Sequence, residues 1–213
     1  MPEKTYELAN PESEIITSLQ DYQFMNESRG SVCIVGYPRS GTTLVYHLLM
    51  SAEVYPVFTF DETHYFSHFY KMYGDLRKQA NLTRLLNDLK TRGIVDDLHS
   101  FEKDIIKRLG RTSVSYESLF AMLMTHLAGL QGKTMWVEKT PWHMSYLKEI
   151  VRACPSVKII FLVRDPRAVA LSIDRAGWIP KGNVLRAASG WRWHMARTEK
   201  LIEVFDRRVL TVK

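Results

Sequence analysis

The chain has 213 residues, of which 46% are hydrophobic and 24% charged, with a formal net charge of +6. That balance fits one globular domain able to bury a core, and it excludes disordered and fibrous classes. The basic residues are dispersed, without a run of five or six or a basic helix with interleaved aromatics. A small polyanion held by a few placed cations therefore fits better than nucleic acid.

The first thirty residues read as a polar lead-in with a short helix around Glu12 to Tyr22, and they lack the pattern of a secretory signal. Apolar runs such as Ile159 to Val163 are too short to cross a bilayer. Cys33 and Cys154 are far apart, each beside an apolar run, and are read as buried free thiols. A cytoplasmic protein is expected.

Ser31 to Gly36 (SVCIVG) reads as a buried strand ending in glycine. A helix follows from Thr42 to Met50, with Leu44, Val45, Leu48 and Leu49 on one face. Pro56 to Phe60 (PVFTF) is a second strand candidate, and Glu62 to Leu130 is mainly helical. Thr134 to Val137 reads as a third strand, followed by a helix from Pro141 to Ala153. Val157 to Val163 (VKIIFLV) has the pattern of a central parallel strand. Helices from Pro166 to about Arg175 and from Val184 to Phe205 precede a fifth strand at Arg208 to Val212. The alternation predicts an α/β domain with a mostly parallel sheet covered by helices on both faces, binding ligands beyond the carboxyl ends of its strands.

Two motifs follow strands. In Gly36-Tyr37-Pro38-Arg39-Ser40-Gly41-Thr42-Thr43, Gly41 lets the chain curl, and the N–H groups of Ser40, Gly41, Thr42 and Thr43 can face an anion at the helix start. The threonine hydroxyls and Arg39 add donors and charge. A plain capped turn also favours glycine and threonine. The loop lacks the lysine of GxxxxGK[ST], and Arg164, not an aspartate for magnesium, follows Val163, which argues against a metabolite kinase. In the second motif, Arg164-Asp165-Pro166-Arg167-Ala168-Val169-Ala170-Leu171-Ser172, Pro166 and Asp165 suit a helix start. Arg164 can present a planar fork to phosphate oxygens.

The first motif resembles the 5′-phosphosulfate loop of the sulfotransferase superfamily, which reads like YPRSGTT or YPKSGTT. The second matches that superfamily's strand-end arginine and the serine eight residues later. The resemblance covers Ser31 to Lys213 and implies a P-loop-like nucleotide-binding fold using 3′-phosphoadenosine 5′-phosphosulfate as co-substrate. It implies that Arg39, Ser40, Gly41, Thr42 and Thr43 hold the 5′-phosphosulfate end and that Arg164 and Ser172 hold the 3′-phosphate. It also implies metal-independent sulfuryl transfer to a hydroxyl or amine of a small-molecule, glycan or peptide acceptor. Relatives run on past a strand like Val209 to Lys213 into a tyrosine–acidic segment, a helix and a basic loop. The sulfotransferase domain at 31–213 is thus expected to lack its C-terminal end. A P-loop small-metabolite kinase and a non-catalytic nucleotide-binding domain are the alternatives.

Such a reaction needs a base at the acceptor and a positive charge at the leaving oxygen. Phe60-Asp61-Glu62-Thr63-His64 looks like the segment of the heparan and tyrosyl-protein branches in which a glutamate is the base. Glu62 is the preferred base, with Asp61 as alternative and His64 orienting it or sharing the proton. A first-turn carboxylate favoured by the helix dipole is the bland reading of Glu62. Lys139 is assigned to the leaving oxygen. The cytosolic branch carries a histidine in a KTH motif, whereas Lys139-Thr140-Pro141 has proline there, which disfavours a histidine base. His143 is expected to be a core or surface residue. The aromatics between Tyr55 and Tyr73 are assigned to packing or, with His68, to an acceptor pocket. Trp191 and Trp193 are assigned to packing of the late helix.

Overall fold

The fold is described from a computed structural model, in which residues 29–56, 58, 61–110, 114–177 and 183–213 are described. The helix expected around Glu12 to Tyr22 lies outside them. Of the strand expected at Pro56 to Phe60, only Pro56 and Phe58 are described, and neither is in a strand.

Four strands form one parallel sheet: β1 (Val32–Gly36), β2 (Val137–Lys139), β3 (Lys158–Leu162) and β4 (Val209–Val212), in the order β2-β1-β3-β4. β1 is buried throughout, and its alternate residues feed different clusters. Cys33 and Val35 join the large core, while Val32 and Ile34 join Val137 and Leu162 on the opposite face. A sheet covered on both faces needs such unbroken apolar strands. Both cysteines are buried and outside any disulfide, and burial pushes the Cys33 thiol well above its ordinary range.

The third strand occupies Val137–Lys139 rather than Thr134 to Val137. Among the described residues it is an edge strand whose one partner is β1, and the register Val32↔Val137 sets where it starts. Lys139 therefore stands inside the strand, opposite Ile34.

Helix α1 (Thr42–Met50) covers the smaller face of the sheet. Val45, Tyr46, Leu49 and Met50 pack there, whereas Leu44 and Leu48 are 65% and 63% exposed. The expected apolar face is thus split, because one sheet can cover only one stripe of the helix. The β1–β2 crossover holds a π-helical turn (Tyr65–Phe69) and helices α2 (Gln79–Thr91), α3 (Leu98–Leu109) and α4 (Tyr116–Gly129). Tyr65, Phe66, Phe69 and Phe120 are buried there, so packing accounts for these aromatics.

The helix expected from Pro141 divides into a 3₁₀ stretch (Pro141–Tyr146) and α5 (Leu147–Ala153). After β3 come α6 (Pro166–Arg175) and α7 (Val184–Val204). Trp191 packs against the core, but Trp193 is 55% exposed, with the Arg197 guanidinium 4.6 Å from its ring centroid. No helix among the described residues is long and apolar enough to cross a membrane.

Gly36 is required by a close approach of backbones. A Cβ there would lie 2.6 Å from the Leu162 carbonyl oxygen. The pairing of Gly36 with Leu162 brings the C-terminal ends of β1 and β3 together, and both motifs leave the sheet at these ends. In a 2-1-3-4 order, the β1/β3 junction is where connections diverge and a crevice opens.

Candidate active site

The loop after β1 turns through Arg39, at φ 71, and Gly41, at φ 100, both in the left-handed region. At Gly41 a Cβ would meet nothing within 4 Å, so glycine is favoured by backbone conformation rather than by space. The Ser40 N–H closes the turn on the Tyr37 carbonyl at 3.1 Å. Of the four N–H groups expected to face an anion, this one is used within the loop. The Ser40 hydroxyl is buried, has no hydrogen-bond partner and does not line the cleft. The first bond of α1 runs from Val45 N–H to the Gly41 carbonyl, so the N–H groups of Thr42 and Thr43 lie in the unpaired first turn.

Arg164 and Ser172 meet this loop from across the β1/β3 junction. Arg164 Nη1 donates to the Arg39 carbonyl at 2.9 Å, and Arg39 Nε donates to Ser172 Oγ at 3.0 Å. The two motifs thus form one continuous cationic wall. Arg167 turns away, 90% exposed and paired with Asp165, whose carboxylate also accepts from the Arg167 N–H at the start of α6. The Arg167 guanidinium holds Asp165 at a pKa of about 2.

Opposite this wall stand Glu62, His64 and Lys139. Lys139 Nζ lies 2.8 Å from Glu62 Oε1, and His64 Nε2 lies 3.1 Å from Glu62 Oε2. Lys139 is nearly buried, with 5% of its side chain exposed, while Glu62 retains 24%. Burial acts to raise the Glu62 pKa, but the bonds from His64 and Lys139 outweigh it and hold the carboxyl below its ordinary value. Asp61, the alternative base, also lines the cleft and is exposed.

A buried carboxylate to which sequence reasoning gave no role braces this arrangement. Glu138, 1% exposed, accepts from Thr63 Oγ1 at 2.7 Å and from Thr140 Oγ1 at 2.5 Å. Its other oxygen lies 3.1 Å from His143 Nδ1. The Phe66 N–H donates to His143 Nε2, which leaves the His143 proton on Nδ1, directed at Glu138. The His64 N–H in turn donates to Thr140 Oγ1 at 3.3 Å. Burial acts to raise the Glu138 pKa, yet His143 and the two threonine hydroxyls bring it below the ordinary range. His143 is therefore a core histidine, and the network ties segment 62–66 to the end of β2. The alternation of side chains along β2, which sends Glu138 and Lys139 to opposite sides, was the available signal for it.

These groups enclose one cleft of about 870 Å³. It is lined by Arg39, Gly41, Thr42, Thr43, Asp61, Glu62, His64, Lys139, Arg164 and Ser172, together with Pro38, Arg92, Pro141 and Trp142. Of the sequence-predicted site residues only Ser40 is outside the lining. Arg92 and Trp142 are additions that no motif announced.

Among solved structures, the chain is similar to the sulfotransferase domain from the Synechococcus PCC 7002 olefin synthase. The identity is 21% and the TM-score 0.56, over 87% of this chain and 66% of that one. It also aligns with sulfotransferase STF9 from Mycobacterium avium at 17% identity and a TM-score of 0.47, over 91% of this chain and 63% of that one. The chain thus spans a little under two thirds of the length of each. A search of curated protein sequences finds no match. The first structural likeness establishes a shared fold, and a family model described as the sulfotransferase family matches residues 31–212. On that match the chain belongs to the sulfotransferase family.

Proposed function

We propose that the chain carries out sulfuryl transfer from 3′-phosphoadenosine 5′-phosphosulfate to a hydroxyl or amine acceptor. The observation that carries this reading is the meeting of Arg39, Ser172 and Arg164 in one wall facing the Glu62–Lys139 pair. The residues present fit a nucleotide with anionic groups at two ends. Arg39, Gly41, Thr42 and Thr43 offer charge, hydroxyls and first-turn N–H groups to the 5′-phosphosulfate, with Ser40 shaping the turn that presents them. Arg164 and Ser172 offer a guanidinium fork and a hydroxyl to the 3′-phosphate. The bound donor supplies an activated sulfur with a phosphate leaving group.

Glu62 accepts the proton of the acceptor as the new bond to sulfur forms and the bond to the bridging oxygen breaks. His64 fixes the carboxylate from its second oxygen. Lys139, adjacent to Glu62, offsets the negative charge that develops on the bridging oxygen. A carboxylate held by Lys139 in the resting site becomes a stronger base when that ammonium turns to the leaving oxygen. This base assignment aligns the chain with the glutamate-base branches. Buried thiols at Cys33 and Cys154, outside any disulfide, support a reducing, cytoplasmic setting.

Calorimetry with adenosine 3′,5′-bisphosphate and with ATP, each with and without magnesium, tests the reading. The bisphosphate should bind more tightly and independently of magnesium. Preferential binding of ATP with magnesium would overturn the reading in favour of a phosphoryl-transfer site.

A further inference from the structure

We propose that Arg92 is an anion subsite for the acceptor, so that the substrate carries a carboxylate, phosphate or sulfate group beside the hydroxyl or amine that is modified. The inference rests on the sulfuryl-transfer reading above and assigns its substrate class.

Among the described residues, four cations line the cleft: Arg39, Arg92, Lys139 and Arg164. Three of them stand on β2 or just beyond the ends of β1 and β3, and bond within the donor wall or to Glu62. Arg92 comes from the opposite side, directly after α2 in the long insertion. Among the described residues it has no carboxylate partner. A cation closing a helix has an ordinary explanation in the helix dipole. Here Lys90 already occupies the last turn of α2, and the Arg92 side chain is turned into the cleft.

Its setting holds the guanidinium in place. Arg92 Cζ sits 5.3 Å from the ring centroid of Phe69, which is 1% exposed. Arg92 Nη1 lies 3.2 Å from His68 Nδ1. Because a guanidinium can only donate, Nδ1 must accept, and the His68 proton is left on Nε2. Partial burial, then the neighbouring His64 and Arg92, hold the His68 imidazole below its ordinary pKa, consistent with a neutral ring. His68 stacks on His64 with centroids 4.4 Å apart, and His64 reaches Glu62. The series Lys139, Glu62, His64, His68, Arg92 therefore runs from the donor side to the far wall. One guanidinium N–H is spent on His68, and the others can face the cleft. An acceptor lying along this series would present its nucleophile at Glu62 and its anionic group at Arg92. Asp61 lies beside Glu62 in the lining and is not bonded to Arg92, so it leaves the subsite cationic.

The test uses the chain saturated with adenosine 3′,5′-bisphosphate and three matched pairs of probes. These are a hydroxy acid and its amide, a sugar phosphate and the free sugar, and a sulfated disaccharide and its desulfated form. Binding is measured by calorimetry for the parent, Arg92→Gln and Arg92→Lys. In at least one pair the anionic member should bind about ten-fold or more tightly than its neutral counterpart. That preference should vanish in Arg92→Gln and return in part in Arg92→Lys, and the pair concerned identifies the anion class. Bisphosphate affinity should be the same in all three proteins.

Equal affinities within every pair, no binding of any anion at millimolar concentration, or a preference that survives Arg92→Gln would each overturn the inference while leaving the donor reading intact. Weaker bisphosphate binding in Arg92→Gln would assign Arg92 to the donor and overturn it as well. Failure of the bisphosphate to bind the parent would be a failure of the donor reading itself.

Discussion

Arg39 Nε donates to Ser172 Oγ at 3.0 Å, across 133 residues of chain. The bond joins the loop after β1 to the first turns of α6, and Arg164 closes the same junction by donating to the Arg39 carbonyl. A nucleotide bound as proposed would meet its two proposed anion sites already held in fixed relation. Such preorganisation reduces the ordering that binding would otherwise require.

Ser172→Ala removes a hydroxyl from the assigned 3′-phosphate site. Hydrogen bonds to charged groups contribute about 1.5–3 kcal/mol, so bisphosphate affinity should fall by roughly ten-fold or more. AMP, which lacks the 3′-phosphate, should bind the parent and the variant with similar affinity. Calorimetry on both ligands checks this, and an equal loss for AMP would remove the 3′-phosphate assignment.

Glu62→Ala and Lys139→Ala address chemistry rather than binding. General acid–base groups typically contribute about 10²–10⁴-fold, so each variant should lose turnover on that scale. Bisphosphate affinity should hold within a few-fold. Single-turnover transfer of labelled sulfate measures the first quantity and calorimetry the second. Parent rates in both variants would remove the catalytic assignment.

The pH dependence follows from the same contacts. Burial raises the Glu62 pKa, but His64 and Lys139 lower it further, so the folded value lies below the unfolded one. The associated stability is present above the ordinary glutamate range and is lost as pH falls through the depressed folded value. In activity, the acid limb of kcat/KM should lie below the ordinary glutamate value of about 4.3. His64→Asn removes one lowering contact and should move that limb upward. An unmoved limb would mean that another group controls it.

Glu138 is expected to govern stability and, through it, the placement of the proposed base Glu62. Glu138→Ala leaves the Thr63 and Thr140 hydroxyls and the His143 Nδ1–H without their buried acceptor. Leaving a buried donor without its acceptor costs about 1–3 kcal/mol for each group, which should appear as a clear drop in Tm. Glu138→Gln keeps the shape and one acceptor oxygen and should recover part of it. Thermal unfolding of the three proteins decides the matter, and an unchanged Tm in Glu138→Ala would refute the bracing role.

The fold was legible where local pattern and global packing agree. Val157 to Val163 is apolar and largely β-branched, and β3 lies inside it. The turn at Gly41 and the proline start of α6 are local signals with local causes. Agreement weakened where a second element decided the outcome. β2 starts where β1 offers a partner, so Thr134 to Trp136 stayed outside it. Leu44 and Leu48 follow the same helical period as Val45 and Leu49, but only the latter two face the sheet.

For the site, the sequence by itself determined the residue types and their places after strands. Arg39 and Gly41 were recognisable because a glycine turn at a helix start is a local signal, and Arg164 with Ser172 through the resemblance of their segment to the sulfotransferase pattern. Only the tertiary structure decided how these segments meet: that Arg39 reaches Ser172, that Glu62 lies between Lys139 and His64, and that Arg92 enters the cleft. Sequence periodicity reports which face of an element is apolar. It carries no information on the distance between side chains of distant segments, which is set by how the sheet and its crossover pack.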